Sequence, residues 1–379
     1  MSHDIKLLTL ISYKFLPAKL GGHLSHVYFH NAVSTYLESI IAGRIENDPS
    51  SEKNLRFELI PVFRSQLGTY FPFSHSLDLV SIIRKRKINA LMCSHPYLGP
   101  TGWLASRITH IPMVSYSHNI ESERFRSMGR KWWRLMHHFE KWVMRKSAIN
   151  FFVTEEDMIW AIDHYGLSPK ACFVSPFGIN LDKIPEKNTN AKNNWVKKGV
   201  IEPQDKLLYF VGSYDYQPNE QAVIDILHEV LPRLSKTNMA YKILIVGKGL
   251  SNVLKKEIEE TTGKVVYVGF VEDIRDVLDA ADVMLNPMSL GGGIKTKAVE
   301  ALGNNIRVVS TEDGSKGLLQ EVCGKMLLVS KDGDWDTFTQ NIVLAASDKE
   351  NIPDSFYAQY SWSGVTEKAS QEIKKIILK

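Results

Sequence analysis

Cysteine is scarce in this chain of 379 residues, and its three cysteines stand far apart. Cys93, Cys172 and Cys323 form no Cys-x-x-Cys pair, which argues against a zinc ribbon or a thioredoxin-type site. A sparse, odd number of cysteines is typical of a reducing cytosol. The histidines show no metal-ligand spacing along the sequence, so we expect no metal site.

Long apolar runs are also missing. No run approaches the roughly 18 residues that a membrane-spanning helix needs. The first apolar run, Ile5–Ser12, is short and follows His3 and Asp4, which does not resemble a signal peptide. We therefore expect a cytoplasmic protein, with peripheral attachment to the inner membrane face as its only form of membrane contact.

Charge is unevenly distributed along the chain. The formal net charge is +4, but residues 1–180 hold 21 Lys and Arg against 14 Asp and Glu. A basic first half indicates an anionic partner, such as a phosphate group, nucleic acid or an acidic membrane surface. The basic residues do not accompany any recognition motif, so nucleic acid is not an expected partner.

Short apolar runs alternate with helical patterns along the whole chain. The runs are rich in Val, Ile, Leu and Phe without polar alternation, as in strands buried on both faces of a parallel sheet. Strand–helix alternation predicts a doubly wound α/β fold. The predicted strands are Ile5–Ser12, Phe57–Val62, Ala90–Ser94, Pro112–Ser117, Asn150–Thr154, Ala171–Ser175, Lys206–Gly212, Tyr241–Gly247, Lys264–Gly269, Asp282–Pro287, Ile306–Ser310 and Met326–Val329.

The strand pattern runs for about six strands and then restarts. The seam, Lys183–Asp205, is polar and rich in Asn and Lys, which indicates a linker with a little helix at its end. We predict two Rossmann-like domains, 1–182 and 183–360, and a C-terminal helix in 361–379. Ligands bind at the carboxyl ends of such strands, so a cleft between facing domains is the expected site.

A glycine-rich loop, Gly291-Gly292-Gly293, follows the predicted strand Asp282–Pro287 and opens a predicted helix, Lys295–Leu302. Unobstructed backbone N–H groups, a helix N-terminus and the side chains of Lys295 and Lys297 suit a diphosphate. A flexible turn with solvated lysines fits the same residues about equally well. The spacing of a Walker A loop is not present.

Two further segments follow strands of the first half. Gly21 and Gly22 come after the first strand and open a predicted helix from Leu24, although an ordinary strand–helix turn fits them equally well. His118 directly follows the strand Pro112–Ser117 and is a candidate hydrogen-bond donor to a sugar or phosphate oxygen. A lone histidine is more often structural, but its polar neighbours favour a site: Asn119, Glu121 and Arg124.

The stretch Arg124–Lys146 is strongly basic, with Glu140 as its single acid. Its apolar residues fall at helical spacing, and such a face is usually core. In the first part of the stretch, Arg124–Trp133, cations are paired with aromatic residues. This composition is typical of a membrane-interface contact or a nucleic-acid surface. The predicted apolar face comprises Trp132, Leu135, Met136, Phe139, Trp142 and Val143.

These motifs, taken in order, resemble the retaining glycosyltransferases of family four, which have the GT-B fold. The resemblance covers nearly the whole chain, and its motifs are specific only in combination. It rests on Gly21-Gly22-His23, on 118–124, on Val211 through Asn219, on Val268-Gly269-Phe270-Val271, on Asn286 through Ala301, and on Tyr360-Ser361-Trp362.

The resemblance implies a role for each matching position. Lys297 would neutralise the donor diphosphate and His118 would lie near the donor sugar, so these two are the expected catalytic residues. Glu300 would contact the nucleotide ribose, and the backbone of Val271 would meet the base. The expected donor-binding residues are Gly22, Gly212, Val271, Gly291, Gly292, Gly293, Lys295, Thr296 and Glu300, and the expected acceptor-side residues are Asn119, Glu121 and Arg124.

Two departures from the family pattern stand out. Gly292 occupies the place of the first glutamate of the family's Glu-x7-Glu motif, as in a subset of members with a GGG loop. The segment 213–217 holds no cation where many members carry Arg and Lys. The positive charge would then come from Lys295 and Lys297, or from Arg124 of the other domain.

The resemblance implies a GT-B enzyme with two Rossmann-like domains facing each other across a cleft, 1–182 for the acceptor and 183–360 for the nucleotide sugar. It also implies that the C-terminal helix in 361–379 packs back on the N-terminal domain. It implies transfer, with retention and without a metal ion or cofactor, from a nucleoside-diphosphate sugar, with UDP or GDP as the expected nucleotide. The expected acceptor is a glycan, a lipid-linked molecule or another cell-envelope molecule. A GT-B nucleotide-sugar epimerase and a non-catalytic nucleotide- or sugar-binding protein remain as alternatives.

Overall fold

Two α/β units make up the chain in this computed structural model. The structure describes residues 5–18, 21–64, 71, 73–289 and 293–378. The first unit comprises Met1–Asn180 with Tyr360–Lys379, and the second comprises Leu181–Gln359.

The described part of the first unit contains a seven-stranded parallel sheet in the order β3-β2-β1-β4-β5-β6-β7. Its central strands are almost completely buried, because helices cover both faces of a doubly wound sheet. The strands are β1 Lys6–Ile11, β2 Glu38–Arg44, β3 Glu58–Phe63, β4 Ala90–Ser94, β5 Met113–Ser117, β6 Ile149–Phe152 and β7 Cys172–Val174.

Strand β2 was not expected from the sequence. Its apolar run is only Ile40-Ile41-Ala42, and Gly43 and Arg44 close it with residues that are not typical of a buried strand. Arg44 is nevertheless buried. The six strands expected in this half are therefore seven in the structure, whereas all twelve predicted strands are observed with ends shifted by at most two residues.

Helices of the first unit lie between most of these parallel strands along the chain. Helix α1 begins at Gly21, three residues before the predicted start, so both glycines lie in its first turn. The helices are α1 Gly21–Val33, α2 Ser76–Arg86, α3 Gly99–Thr109, α4 Glu121–Ser127, α5 Trp133–Lys146 and α6 Glu155–Tyr165.

The predicted apolar face of α5 is partly wrong. Met136 and Val143 are buried as expected, but Leu135 is 71% exposed and Trp132, which precedes the helix, is 47% exposed. Glu140, in contrast, belongs to the buried face of α5 and is 0% exposed. Helical spacing alone does not predict a buried glutamate, because its burial depends on hydrogen-bond donors from other elements.

The described part of the second unit contains a six-stranded parallel sheet in the order β10-β9-β8-β11-β12-β13. Leu208, Phe210, Ile243, Ile245 and Leu285 on its central strands belong to one buried cluster. The strands are β8 Lys206–Val211, β9 Tyr241–Val246, β10 Val265–Gly269, β11 Val283–Asn286, β12 Arg307–Thr311 and β13 Leu327–Ser330.

Helices of the second unit include the segment that the sequence indicates as a linker. Helix α7 lies in the middle of that segment, and its Trp195 is buried with Nε1 donating to the Asp276 carbonyl oxygen at 2.9 Å. The helices are α7 Ala191–Lys197, α8 Gln217–Asp225, α9 Leu231–Leu234, α10 Asn252–Glu259, α11 Arg275–Leu278, α12 Thr296–Gly303, α13 Glu312–Ser315, α14 Gln320–Cys323, α15 Trp335–Ser347 and α16 Ser355–Tyr360; a π-helical turn, Ile226–Val230, joins α8 to α9.

The last helix, α17 (Trp362–Ile377), belongs to the first unit and packs against α1. Trp362 is buried 6.3 Å from the ring centroid of Phe29, and its backbone N–H donates to the Ile179 carbonyl oxygen at 2.9 Å. Ser361 caps the helix by accepting from Gly364 N at 3.0 Å. Among the described residues, no helix is both long enough and apolar enough to cross a membrane.

Candidate functional site

Each sheet has a switch point, where the chain reverses the direction in which strands are added. The switch lies between β1 and β4 in the first unit and between β8 and β11 in the second. Connections from such a pair of strands run to opposite faces of the sheet and leave a crevice at the carboxyl ends. The loops after β1 and β4 are therefore the candidate site of the first unit, and the loops after β8 and β11 are that of the second unit.

Among the described lysines of the second unit, Lys297 in the first turn of α12 has the most strongly lowered pKa. Its Nζ donates to Asn219 Oδ1 at 2.6 Å and lies 4.3 Å from the centroid of the Phe210 ring. Burial, and after it the charge of Lys295, lowers the pKa of Lys297 to about 7. An anion placed beside this amine would favour the charged form again, so the position suits a phosphate group.

Lys295 lies at the N-terminal boundary of the same helix. It is buried, its Nζ donates to the Gly293 carbonyl oxygen at 2.9 Å, and burial lowers its pKa to about 8. Gly293 has a φ of 71°, a conformation that favours glycine. Thr296 is exposed at the first helical position. The predicted donor-binding residues Gly291 and Gly292 lie outside the described residues.

Gly212 directly follows β8, at the place where the backbones of two loops come close together. A Cβ atom on Gly212 would lie 2.8 Å from the side chain of Asn219, the partner of Lys297. A Cβ atom on Gly247, whose φ is 128°, would collide with the Gly212 carbonyl oxygen. The structure thus brings Gly212 and Lys297 to one place and shows why neither glycine can carry a side chain there.

The other two predicted donor residues of this unit are less buried. Glu300 follows Lys297 by one helical turn and is exposed as a residue, yet protein atoms around its carboxyl group raise its pKa. Val271 is half-buried and lies two residues beyond the end of β10, next to Phe270, which is 71% exposed.

His118 directly follows β5 in the first unit and is buried among other rings. Its ring centroid lies 4.4 Å from that of His95, 5.2 Å from that of His26 and 4.8 Å from that of Tyr116. Burial, followed by the neighbouring histidines, lowers the pKa of His118 well below its usual value. The imidazole is therefore neutral at physiological pH, with one nitrogen able to donate and the other able to accept.

Glu121 and Arg124 form an ion pair beside this histidine group. Glu121 is fully buried, accepts from Tyr97 Oη at 2.8 Å and from Arg124 Nη1 at 2.9 Å, and lies 3.6 Å from His95 Nδ1. Burial alone would raise the pKa of Glu121, but these partners outweigh it and hold the pKa below its usual value. The Arg124 side chain is half exposed, which leaves donors available to a ligand.

The two remaining predicted residues of the first unit, Asn119 and Gly22, accept hydrogen bonds from nearby serines through their backbone carbonyl oxygens. Asn119 is half-buried, and its carbonyl oxygen accepts from Ser117 Oγ at 2.6 Å. Gly22 is exposed in the first turn of α1, with open space where a Cβ atom would lie, and its carbonyl oxygen accepts from Ser25 Oγ at 2.8 Å.

Glu140 is a residue of this region that the sequence did not single out as functional. From α5 its carboxyl group accepts from the backbone N–H groups of Glu121 at 3.0 Å and Ser122 at 3.1 Å, and from Tyr165 Oη at 2.7 Å. Burial raises the pKa of Glu140 to about 7. The carboxyl group thus fixes the start of α4, the helix that carries Glu121 and Arg124.

His26 and His95 were also missed by the sequence analysis. His26 lies on α1 and His95 follows β4, so only the folded sheet brings them to His118. His95 directly follows a strand, and His26 lies on the helix after β1. These positions would have indicated a site if the sequence had revealed the switch point between β1 and β4. The Nε2 atom of His26 lies 2.7 Å from Tyr13 Oη in the loop after β1.

Two family models match the chain, one in each half. Residues 38–183 match the family model described as "Glycosyltransferase Family 4". Residues 205–348 match the family model described as "Glycosyl transferases group 1". The first match contains His118 and Glu121, and the second contains Gly212 and Lys297.

Solved structures resemble the chain over almost its full length. A glycosyltransferase from Rickettsia africae has a TM-score of 0.73 at 13% identity, covering 98% of each chain. A sucrose-phosphate synthase from Thermosynechococcus elongatus has a TM-score of 0.70 at 14% identity, covering 99% of this chain and 100% of that chain. Anabaena HepE in complex with UDP and glucose has a TM-score of 0.68 at 13% identity, covering 98% and 100%.

A shorter match connects the chain to a curated sequence. An "Uncharacterized 44.6 kDa protein in cps region" of Klebsiella pneumoniae is 34% identical over 114 residues. This segment spans 28% of the chain and 29% of the relative's length.

The two parallel sheets and the structural likenesses confirm the predicted fold class, an α/β protein with the GT-B fold. Together with the two family matches they support a glycosyltransferase.

Proposed function

We propose that this chain is a retaining glycosyltransferase that moves a sugar from a nucleoside-diphosphate sugar to a glycan, a lipid-linked molecule or another cell-envelope acceptor. The observation that carries the proposal is the placement of Lys297 at the start of the helix after β11, where its Nζ donates to Asn219 Oδ1 and its pKa is lowered to about 7. An anion beside this amine would favour its charged form, and the departing diphosphate is such an anion.

The donor diphosphate fits the second unit through three groups. Lys297 and Lys295 supply charge, and the start of α12 supplies backbone N–H groups and the positive end of the helix dipole. Glu300, one turn further, would accept from a ribose hydroxyl group. UDP is the first nucleotide to test, since HepE was solved with UDP, and GDP is the second.

The proposed reaction needs no metal ion or cofactor. The bond from the anomeric carbon to the donor phosphate breaks, and a bond to the acceptor oxygen forms on the same face of the sugar. The acceptor proton passes to the leaving phosphate oxygen, and Lys297 stabilises the negative charge of the leaving group. His118, neutral and buried, would hydrogen-bond to the donor sugar.

The acceptor is proposed to bind the first unit near Glu121, Asn119 and Arg124. An acceptor of the cell envelope is supported by the relative encoded in a cps region and by the structural likeness to a lipopolysaccharide galactosyltransferase, WaaB. We further propose that the protein works at the cytoplasmic face of an anionic membrane, where an acceptor of this type is accessible.

The surface that would contact the membrane is the segment Arg124–Trp133, here called the basic-aromatic segment. Met128 is 55% exposed and Trp132 is 47% exposed, so both can enter a lipid interface. Arg130 lies 6.0 Å from the ring centroid of Trp132, and Arg126 lies 5.3 Å from that of Trp133. Such paired cations and aromatic rings suit the headgroup region of an anionic bilayer.

A thermal-unfolding screen tests the donor assignment. UDP, GDP and ADP, each free and sugar-linked, are added to the full chain, because a specific ligand at about 100 times its Kd stabilises by about 2.7 kcal/mol. We expect one nucleotide to stabilise the wild type and to lose most of this effect in Lys297→Ala, whereas Lys256→Ala on α10 serves as the matched control. Equal stabilisation of both variants would contradict the proposed role of Lys297.

A further inference from the structure

Three histidines from separate elements converge in the first unit. His26 lies on α1, His95 follows β4 and His118 follows β5, and one ring nitrogen of each lies within 4.8 Å of the others. The convergence is created by the switch point of the sheet, because β1 and β4 are neighbours and β5 lies beside β4. We call these three residues the histidine cluster.

The histidine cluster contains a nitrogen that the protein does not satisfy. His118 Nε2 is buried and has no hydrogen-bond partner, and His95 Nδ1 faces only the Glu121 carboxylate, at 3.6 Å. A buried polar atom without a partner is unfavourable. The free nitrogen of His118, beside two other imidazole rings, indicates that a ligand completes the cluster.

The placement of the histidine cluster suits a single metal ion. His26 and His118 are buried, with ring centroids 5.2 Å apart, and the ring centroids of His95 and His118 lie 4.4 Å apart. One cation could therefore be shared by one nitrogen of each ring.

The ligand type selects the class of ion. Imidazole nitrogens favour Zn²⁺, Cu²⁺ and Ni²⁺, whereas Mg²⁺ and Ca²⁺ favour oxygen ligands. Three histidines with an open fourth position are a known zinc arrangement. Glu121, with its Oε1 atom 3.6 Å from His95 Nδ1, and Tyr13, with its hydroxyl 2.7 Å from His26 Nε2, are near enough to orient the rings or to complete the coordination.

We propose that His26, His95 and His118 form a binding site for one zinc-class divalent ion. The ion would occupy the nitrogen of His118 and withdraw that side chain from the donor sugar, so zinc would inhibit sugar transfer. The binding site rests on the geometry alone, whereas the inhibition rests on the proposed function.

Isothermal titration of the metal-free full chain with Zn²⁺ tests the binding site without any activity measurement. We expect one ion per chain, and His95→Gln should weaken binding by at least about 100-fold, because even residues behind a metal ligand contribute about 10- to 100-fold. The control variant replaces two exposed histidines outside the cluster, His138→Gln with His228→Gln, and should bind as the wild type does. Equal affinity of the wild type and His95→Gln would overturn the proposal.

X-ray absorption of the zinc-loaded wild type is a second test, and it does not depend on whether His95→Gln folds. Three imidazole ligands at about 2.0–2.1 Å are expected, and fewer than three would overturn the assignment. Inhibition is measured separately, as loss of donor turnover on adding Zn²⁺ and its recovery with a chelator. Turnover that persists while zinc is bound would refute the inhibition and leave the binding result standing.

Discussion

At the scale of single residues, Lys297 is the group on which the proposed chemistry depends. Lys297 is half-buried, and its Nζ donates to Asn219 Oδ1 and lies over the Phe210 ring. Its pKa of about 7 leaves the amine mostly neutral in mildly alkaline solution. A diphosphate bound as proposed would place negative charge beside it and raise its pKa. Binding of the donor would then be coupled to uptake of a proton.

This coupling predicts proton uptake when UDP or GDP binds at about pH 8.5. Lys297, and in part Lys295 with its pKa of about 8, should take up a proton there because the free amines are largely neutral. Calorimetry in buffers of different ionisation enthalpy measures the number of protons. Lys297→Ala should reduce the uptake while Lys256→Ala keeps it, and binding without any proton uptake would show that neither amine meets the diphosphate.

Glu140 gives a second prediction at this scale, on the pH dependence of stability. Its pKa of about 7 in the folded protein lies above the ordinary glutamate value of 4.5, so the folded state binds the proton more tightly than the unfolded state. This contribution to the free energy of unfolding is fully present below about pH 4.5 and is lost as the pH rises to about 7.

Glu140→Gln removes the titration and keeps an acceptor oxygen for the start of α4. Relative to this variant, the wild type should lose up to about 3 kcal/mol of unfolding free energy between about pH 4.5 and 7, at about 1.4 kcal/mol per pKa unit. Denaturant unfolding at the two pH values measures the difference, with Glu259→Gln, an exposed acid of α10, as control. Parallel pH profiles of wild type and Glu140→Gln would contradict this account of the buried carboxyl group.

At the scale of elements, the close approach of the loops after β8 and β9 is a strict requirement of the second unit. Gly247→Ala would force a Cβ atom into the Gly212 carbonyl oxygen and should displace the loop that positions Asn219. Gly199→Ala is the matched control, because Gly199 also has a positive φ, 68°, but has open space around the added atom.

Thermal unfolding and UDP titration compare the two alanine variants. Gly199→Ala should show only the strain of a left-handed residue, about 1–2 kcal/mol. Gly247→Ala should be destabilised by more than this and should bind the nucleotide more weakly. If both variants behave alike, the packing of Gly247 on Gly212 does not shape the donor site.

The basic-aromatic segment carries the second prediction at this scale. The full chain should float with anionic vesicles and not with neutral ones, because each cation near an anionic surface contributes about 1 kcal/mol. Arg130→Glu with Lys131→Glu should abolish flotation, whereas the same charge change in Lys255→Glu with Lys256→Glu should leave it intact. No binding to either vesicle at low salt would favour an acceptor that is free in solution.

Elements also show what the sequence can and cannot reveal. Buried parallel strands such as β4 are continuous apolar runs, so all but one were predictable. Strand β2 was not, because Gly43 and Arg44 interrupt its run, and the burial of Arg44 depends on the tertiary structure.

Site residues divide in the same way. Lys297 and His118 follow strand ends and carry recognisable neighbours, so the sequence singled them out. Glu140 depends on donors from Glu121, Ser122 and Tyr165, and the histidine cluster depends on which strands are adjacent. Neither arrangement has a signature in local spacing, because the partners are distant in sequence.

At the scale of the whole molecule, the account assigns the donor to the second unit and the acceptor to the first. Lys297 and Lys295 of the second unit face a diphosphate in this proposal, and the ion pair of Glu121 and Arg124 faces an acceptor. A nucleotide-binding protein without activity would need Lys297 and Lys295 but not the ion pair of Glu121 and Arg124. Turnover and its product therefore decide between the proposed transferase and its alternatives.

The most direct test supplies the full chain with the sugar nucleotide that it binds best and with envelope extract, and follows the labelled sugar. The account predicts a covalent product with the anomeric configuration of the donor, and a turnover lower by about 10² or more in Lys297→Ala but not in Lys256→Ala. Release of free or epimerised sugar without a covalent product, or no turnover of any bound sugar nucleotide, would contradict it.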